Sequence, residues 1–403
     1  MAARSFHPPG RTLLGPGPSD VDPRVLAALS RPTIGHLDPA FVALMDELKQ
    51  LLQYAFRTSN ELTIPISGPG SAGMETCFVN LLEPGDHAVV CENGVFGARM
   101  RENVERCGAR ATVVEDPWGQ PVDPNKVEDA LRRNPGTRLL AVVHAETSTG
   151  TRSDIETLAR IAHDHDCLIV VDAVTSLAGS ELETDGWALD AVYSGSQKCL
   201  SCVPGLSPVS FSERAVQRIK SRSRPVQSWF LDLSLVMGYW GGENRRSYHH
   251  TAPVNALYSL HEALVILREE GLEASWVRHR CNHRALRAGI EAMGLRFLVD
   301  APYRLPQLNA ILIPDGIDDA LVRRELLEQF RLEIGAGLGP LAGRIWRIGL
   351  MGHASSMRNV LLCLGALESV LANQGLEIEP GSAVAAARAA YRNPTLDARH
   401  ATA

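Results

Sequence analysis

Between residues 62 and 212, short and wholly apolar runs alternate with stretches whose apolar residues return every three or four positions. The runs fall at 62–66, 87–91, 111–114, 139–144, 167–172, 190–193 and 206–211. Runs of that length separated by amphipathic helices predict strands buried on both faces. The fold class expected is therefore α/β, with a seven-stranded, mostly parallel sheet covered by helices. Helical spacing is clearest at 71–82, 94–107 and 153–165, the last opening with Ser153 and Glu156 at the spacing of a capping box. Ahead of the sheet, Phe41, Leu44, Met45, Leu48, Leu51, Leu52 and Phe56 form one apolar stripe over 38–56.

After residue 212 the texture changes. A stretch dense in aromatic and basic residues (Trp229, Trp240, Arg245, Arg246, Tyr248) precedes a long helical pattern over 253–293. Strands predicted at 307–313 and 344–348 then alternate with helices at 318–330 and 356–372, the pattern of a smaller α+β unit. The organisation expected is a Gly/Pro-rich extended arm (1–20), a large domain (21–252), a small C-terminal domain (253–375) and an Ala-rich tail (376–403).

Composition narrows the function classes. The 403 residues are 45% hydrophobic and 21% charged, which excludes a disordered or fibrous chain. With 40 Lys+Arg against 46 Asp+Glu, the formal charge of −6 offers nothing to draw in nucleic acid or anionic lipid. No run reaches the roughly 18 apolar residues of a membrane helix. The N-terminus lacks the apolar core of a signal peptide and shares with transit peptides only its arginines and the absence of acids before Asp20. The eight cysteines are scattered. Cys199 and Cys202 form a lone C-x-x-C without a second pair, so buried thiols in a reducing compartment, by default the cytoplasm, are expected and metal is not.

In a parallel sheet ligands sit beyond the carboxyl ends of the strands, and two such ends carry unusual chemistry. Asp172 closes the apolar run of Val170-Val171-Asp172-Ala173-Val174, where an ionised carboxylate is costly unless a cation meets it. Lys198 follows the next strand in Tyr193-Ser194-Gly195-Ser196-Gln197-Lys198, where desolvation would depress its pKa. One ligand uses both groups. The aldehyde of pyridoxal phosphate takes an amine as a Schiff base, and its pyridine nitrogen stays protonated beside a carboxylate. Singly, the plainer readings, a strand-end cap for Asp172 and an exposed loop lysine for Lys198, are favoured; the pair at successive strand ends favours the cofactor. Ser67-Gly68-Pro69-Gly70-Ser71-Ala72-Gly73 follows a strand and opens a helix, a seat for the phosphate dianion or an ordinary turn with Ser71 as its cap.

These motifs, with Leu14-Gly15-Pro16-Gly17-Pro18 near the start, Tyr248-His249-His250-Thr251, and Arg347-Ile348-Gly349 near the end, resemble the class V aminotransferases of fold-type I pyridoxal-phosphate enzymes. The likeness is specifically to the alanine/serine–glyoxylate aminotransferase group and spans nearly the whole chain. It implies that Lys198 carries pyridoxal 5′-phosphate and shuttles the Cα proton, that Asp172 pairs with the ring nitrogen, and that Val174 and Phe96 pack on opposite ring faces. It implies phosphate contacts from Gly70, Ser71 and Gln197, a contact from Thr147 on the ring-hydroxyl side, and Tyr248 and Thr251 reaching the phosphate of a partner subunit. Arg347 would grip the substrate carboxylate, with Gly17 and Gly35 bordering the substrate. Animal relatives carry Trp where Phe96 stands and His where Ser71 stands.

Plainer readings stand beside several of these. Phe96 also suits a core, and Arg347 in an apolar strand also suits a structural Asp or Glu partner. His36 could cap the helix beginning near Asp38. The rings of His249 and His250 should diverge in an extended segment, leaving no metal site, and the aromatic and basic cluster from Trp229 to Arg246 reads as interface and pocket wall. The reaction expected is a ping-pong transamination from alanine or serine to glyoxylate or pyruvate, within a homodimer that shares its sites. Other reactions on the same scaffold stay open: pyridoxamine–pyruvate or aspartate–glyoxylate transamination, a lyase, or a desulfurase. So does a non-enzymatic α/β binding protein.

Overall fold

The computed structural model describes residues 4–241 and 246–392; Arg245 and the last residues of the expected tail lie outside the described residues. In chain order the strands are β1 (Thr12–Leu14), β2 (Leu62–Ser67), β3 (His87–Glu92), β4 (Arg110–Glu115), β5 (Leu139–Val143), β6 (Ala145–Glu146), β7 (Thr151–Arg152), β8 (Leu168–Asp172), β9 (Ala191–Tyr193), β10 (Leu206–Phe211), β11 (Leu308–Leu312), β12 (Leu332–Ala336) and β13 (Ile345–Gly349). The seven apolar runs all enter one sheet in the order β2-β10-β9-β8-β5-β3-β4. Only β10 runs against the others, pairing antiparallel with both β2 and β9. Every residue of β5, β8 and β10 is buried, as strands covered on both faces must be.

Six co-directed strands therefore end on one edge. Asp172 at the end of β8 lies in register with Tyr193 at the end of β9 and with Val143 at the end of β5. The turns after β2, β3, β5, β8 and β9 gather there, and they hold most of the residues singled out above.

The helix Gly70–Leu81 packs directly onto this sheet because Gly73 has no side chain. A Cβ at position 73 would lie 2.0 Å from Ser207 Oγ and 3.3 Å from the Cβ of Tyr193. The helix Pro39–Phe56 begins with Asp38 accepting from Ala40 N–H, carries Pro39 in its first turn, and stops at Arg57 in the left-handed region (φ 52°). Its stripe, Phe41, Met45, Leu48, Leu52 and Phe56, is fully buried in the large core.

A second core belongs to a four-stranded sheet ordered β1-β12-β13-β11. The arm supplies β1, which runs parallel to β12, so the N-terminal segment is stitched into the C-terminal unit.

Several sequence expectations need correction. The pattern over 253–293 is two helices, Val254–Glu270 and Leu272–Ala292, separated by Gly271 at φ 89°. Asp154, not Ser153, caps the helix Ile155–Asp164, while Ser153 Oγ accepts from Val122 N–H. Residues 382–392, read as part of a tail, form the helix Ser382–Arg392, with Ala383 and Ala387 fully buried. His249 and His250 do not diverge: their rings meet edge to face at 5.1 Å and their Nδ1 atoms are 2.8 Å apart. His36 caps nothing, since Asp38 holds that role.

Gly73→Ala should lower stability to urea by about 1–3 kcal/mol through overpacking, despite the better helix propensity of Ala. Removing the clashing hydroxyl in the double variant with Ser207→Ala should recover part of that loss.

Candidate active site

The end of β8 delivers Asp172 into the interior with 3% of its surface exposed. Its two oxygens are met by donors: Val174 N–H to Oδ1 at 2.8 Å and the Tyr193 hydroxyl to Oδ2 at 2.7 Å. Burial nevertheless pushes the carboxyl up to about 6; the two hydrogen bonds and the charge of Lys198 oppose the shift, and the nearby Glu146 carboxylate reinforces it. Tyr193 was not singled out from the sequence, where it reads simply as a strand aromatic.

Lys198 is 7% exposed. Burial brings its ammonium down to about 8, with the charge of Arg347 adding to the effect. Nζ donates to the carbonyl of Pro16 in the arm. The arm is tied to the lysine turn twice more, by Ser19 N–H to the Gln197 carbonyl at 3.0 Å and Ser19 Oγ–H to the Lys198 carbonyl at 2.9 Å. Gly17, at φ 105°, leaves the room the lysine occupies: a Cβ there would sit 2.7 Å from Nζ.

Gly70 plays the same part on the other side. A Cβ there would lie 3.3 Å from Val174 Cγ2, 3.6 Å from the Ser194 carbonyl oxygen and 3.7 Å from Gly195 Cα. The Gly-rich turn, the Asp172 turn and the lysine turn are thus in contact. Gln197 Oε1 is buried there without a partner. Ser71 stands exposed in the first turn of its helix, whose N-cap is Pro69 with no side-chain capping bond, so the capping alternative fails.

Thr147 lies in the turn between β6 and β7, its Oγ1 2.5 Å from Thr175 Oγ1. Its carbonyl accepts from Arg347 Nη1 at 3.1 Å, and the Ala336 carbonyl accepts from Arg347 Nε at 2.7 Å. Arg347, on β13 and 6% exposed, has no carboxylate at ion-pair distance among the described residues, contrary to the structural-partner reading. Burial lowers its pKa to about 10, opposed by Glu146. Phe96 opens the helix Val95–Arg106, half-buried, with the Arg99 guanidinium 4.9 Å from its ring centroid.

Three expected site residues lie on the surface, although His250, between two of them, has its Nε2 2.8 Å from Ser67 Oγ at the end of β2. Gly35 is exposed, its carbonyl accepting from Asp38 N–H. Tyr248 is 61% exposed beside His36, and Thr251 is exposed too.

The arrangement offers a buried amine with a depressed pKa, a buried carboxylate on hydrogen-bond donors and an unpaired guanidinium, all around one strand edge. That set suits a ligand with a carbonyl, a basic ring nitrogen and a carboxylate-bearing substrate. Among known proteins, the sequence profile of Aminotransferase class-V matches residues 20–341. The chain is 39% identical to (S)-ureidoglycine–glyoxylate transaminase of Bacillus subtilis over 97% of both chains. It is 41% identical to alanine–glyoxylate aminotransferase of Callithrix jacchus over 90% of this chain and 88% of that one. The crystal structure of the ureidoglycine–glyoxylate aminotransferase from Bacillus subtilis superposes with a TM-score of 0.94, covering 97% of this chain and all of that one at 40% identity.

Tyr193→Phe removes one of the two donors on Asp172, so the carboxylate should hold its proton to higher pH. The apoprotein's capture of pyridoxal phosphate, followed by absorbance, should weaken about tenfold at neutral pH. Its acid limb, expected near pH 6 in the native protein from the carboxyl at about 6, should move upward. An unmoved limb would remove Tyr193 from the site.

Proposed function

The chain belongs to the class-V aminotransferases, and from that premise we propose that it moves an amino group from alanine or serine to glyoxylate or pyruvate, in two half-reactions at one site. The observation that carries this reading is the buried lysine and buried aspartate at adjoining strand ends, neither neutralised by a side chain of opposite charge within ion-pair distance among the described residues.

Class-V aminotransferases use pyridoxal 5′-phosphate, whose bound ring withdraws electrons and makes the substrate Cα–H acidic. The residues present fit it. Gln197 Oε1 is a buried acceptor to which no group of the described residues donates, and Asp172 and Lys198 each lie without a side chain of opposite charge at ion-pair distance among those residues. Lys198, Asp172, Val174, Phe96, Thr147, Gly70, Ser71 and Gln197 would hold it.

Lys198 with a pKa of about 8 is neutral in roughly one molecule in ten near pH 7, against fewer than one in a thousand for an ordinary lysine. A neutral amine can attack a carbonyl, and once released it can take a proton from the substrate Cα and return it. Asp172, fixed by Tyr193 and Val174, presents an anion to a ring nitrogen. Arg347 uses two N–H groups on the carbonyls of Ala336 and Thr147, which fix its plane and leave the rest of the fork for a carboxylate. A single guanidinium recognises a single carboxylate, which favours small monocarboxylate donors over aspartate.

A second donor, (S)-ureidoglycine, is favoured by the near-complete overlap with the Bacillus subtilis transaminase. Desulfurase chemistry is disfavoured by the thiols near the lysine. Burial pushes Cys199 up to about 12 and Cys202 to about 11, and Cys202 Sγ lies 3.3 Å from Ser259 Oγ. Exposed Tyr248 and Thr251, beside exposed Trp229 and Phe230, support a homodimer in which they serve the partner's site. Among the described residues no helix is long and apolar enough to cross a membrane.

Half-reactions of the holoenzyme with alanine, serine, aspartate and (S)-ureidoglycine, followed by cofactor absorbance, test the donor. Alanine or serine should react fastest, and a clear lead for aspartate would overturn the single-carboxylate reading. Arg347→Lys should raise KM for donor and acceptor alike, because a point charge cannot replace a forked donor. Lys198→Ala should retain cofactor but lose several orders of magnitude in turnover, and sedimentation of the holoenzyme should give a dimer.

A further inference from the structure

The side chain of Glu146 was not singled out from the sequence, and the reaction above does not use it. It is wholly buried, at the end of the two-residue strand β6, and no cation lies within ion-pair distance among the described residues. Ser148 N–H donates to its Oε1 at 3.0 Å and Phe96 N–H to its Oε2 at 3.2 Å, and Gly97 N–H also bonds the carboxylate. Ser148 Oγ is 2.5 Å from Oε1 and itself accepts from Val95 N–H at 3.0 Å, so its proton goes to the glutamate. Burial raises the proton affinity of this carboxyl, and the three amides and the Ser148 hydroxyl oppose it by donating to the anion. Two of the donors are the otherwise orphaned first amides of the helix Val95–Arg106, where negative charge is favoured. The chain makes room for it: a Cβ on Gly94 would lie 2.4 Å from Glu146 Cδ and 2.5 Å from Ser148 Oγ.

This residue touches the backbone of Phe96 on one side, and its chain neighbour Thr147 holds Arg347 on the other. Among the described residues Arg347 bonds only neutral carbonyls, and the charge of Glu146 is what opposes its desolvation. We propose that Glu146 is a positioning residue that anchors the helix start bearing Phe96 and, as an anion, weakens Arg347's hold on a substrate carboxylate so that small monocarboxylate products leave readily. The inference rests on the placement of the substrate carboxylate at Arg347. Electrostatics agree in direction: Glu146 raises the proton affinity of both Arg347 and Asp172.

The test is the dissociation constant of acetate, an unreactive monocarboxylate, measured on the holoenzyme by its effect on cofactor absorbance. Glu146→Gln keeps the shape and removes the charge. Acetate should then bind roughly fivefold more tightly, neutral acetamide should be unaffected, and KM and kcat for alanine should fall together. A merely structural role predicts the reverse, a looser acetate site and a higher KM, and either that result or an unchanged constant overturns the proposal. If Glu146→Gln does not fold, Ser148→Ala removes one donor, raises the proton affinity of the carboxyl, and should tighten acetate about twofold at neutral pH; an unchanged or weaker constant there also overturns it. Arg347→Lys separates the two layers. Acetate weakened by Arg347→Lys but unmoved by Glu146→Gln overturns this inference alone. Acetate indifferent to Arg347→Lys overturns the carboxylate placement and this inference with it.

Discussion

Four charges sit inside this protein without touching one another. Lys198 and Arg347 are positive, Asp172 and Glu146 negative, all are nearly or wholly buried, and none forms an ion pair with another. Burying such groups separately is expensive, and a fold selected for stability alone would collapse them into two pairs or replace them with apolar side chains. Here each charge is instead held by hydrogen bonds to neutral groups: Asp172 by a tyrosine and an amide, Glu146 by three amides and a serine, Lys198 by a proline carbonyl, Arg347 by two carbonyls. Those partners fix direction without cancelling charge, so the field stays available to a ligand. This is the meaning of preorganisation in a site whose chemistry moves protons and carboxylates.

The topology makes the arrangement possible. With six strands co-directed, the turns after β2, β3, β5, β8 and β9 converge on one edge. Each contributes one kind of group: a Gly-rich turn, an aromatic at a helix start, a carboxylate and a hydroxyl, a second carboxylate, a lysine. Arg347 comes from the other sheet, and the arm closes the gap by pairing β1 with β12 and placing Pro16, Gly17 and Ser19 on the lysine turn. The Arg347 strand and the lysine turn are therefore linked through the N-terminal segment.

The sheet was legible because its signal is redundant. Strands buried on both faces, such as 139–143 and 168–172, leave unbroken apolar runs, and all seven runs became strands of one sheet. Asp172 and Lys198 stood out for the same reason, as charges at the ends of such runs. What escaped was short or dependent on distant chain. β12 is five residues with Gly335 inside it, and β1 exists only because β12 offers it an edge. The break at Gly271 lies within a continuous apolar period, which carries no sign that the two helices part. Ser153 matched a capping pattern, yet the adjacent Asp154 was better placed. Tyr193 looked like a strand aromatic, and Glu146 did not stand out; Asp172 lies 21 positions from the one and the Phe96 amide 50 from the other, relations no local pattern contains.

The departures at Phe96 and Ser71 gain a physical reading from the same contacts. A phenyl ring has no N–H to hold it, so its orientation depends on its backbone and on what covers it. The backbone is held by the Phe96 and Gly97 amides on Glu146, and the guanidinium of Arg99 lies over the ring at 4.9 Å. A cation on one face of an aromatic ring leaves only the other face free to stack. The ring is thereby presented in one direction by an anion behind its amide and a cation over its face, without an indole hydrogen bond. Ser71 differs in kind: exposed in the first helical turn, it contributes a hydroxyl where a histidine would bring a charge. A dianion placed there would be met by the amides of the helix start, by dipoles and not by a charge from residue 71.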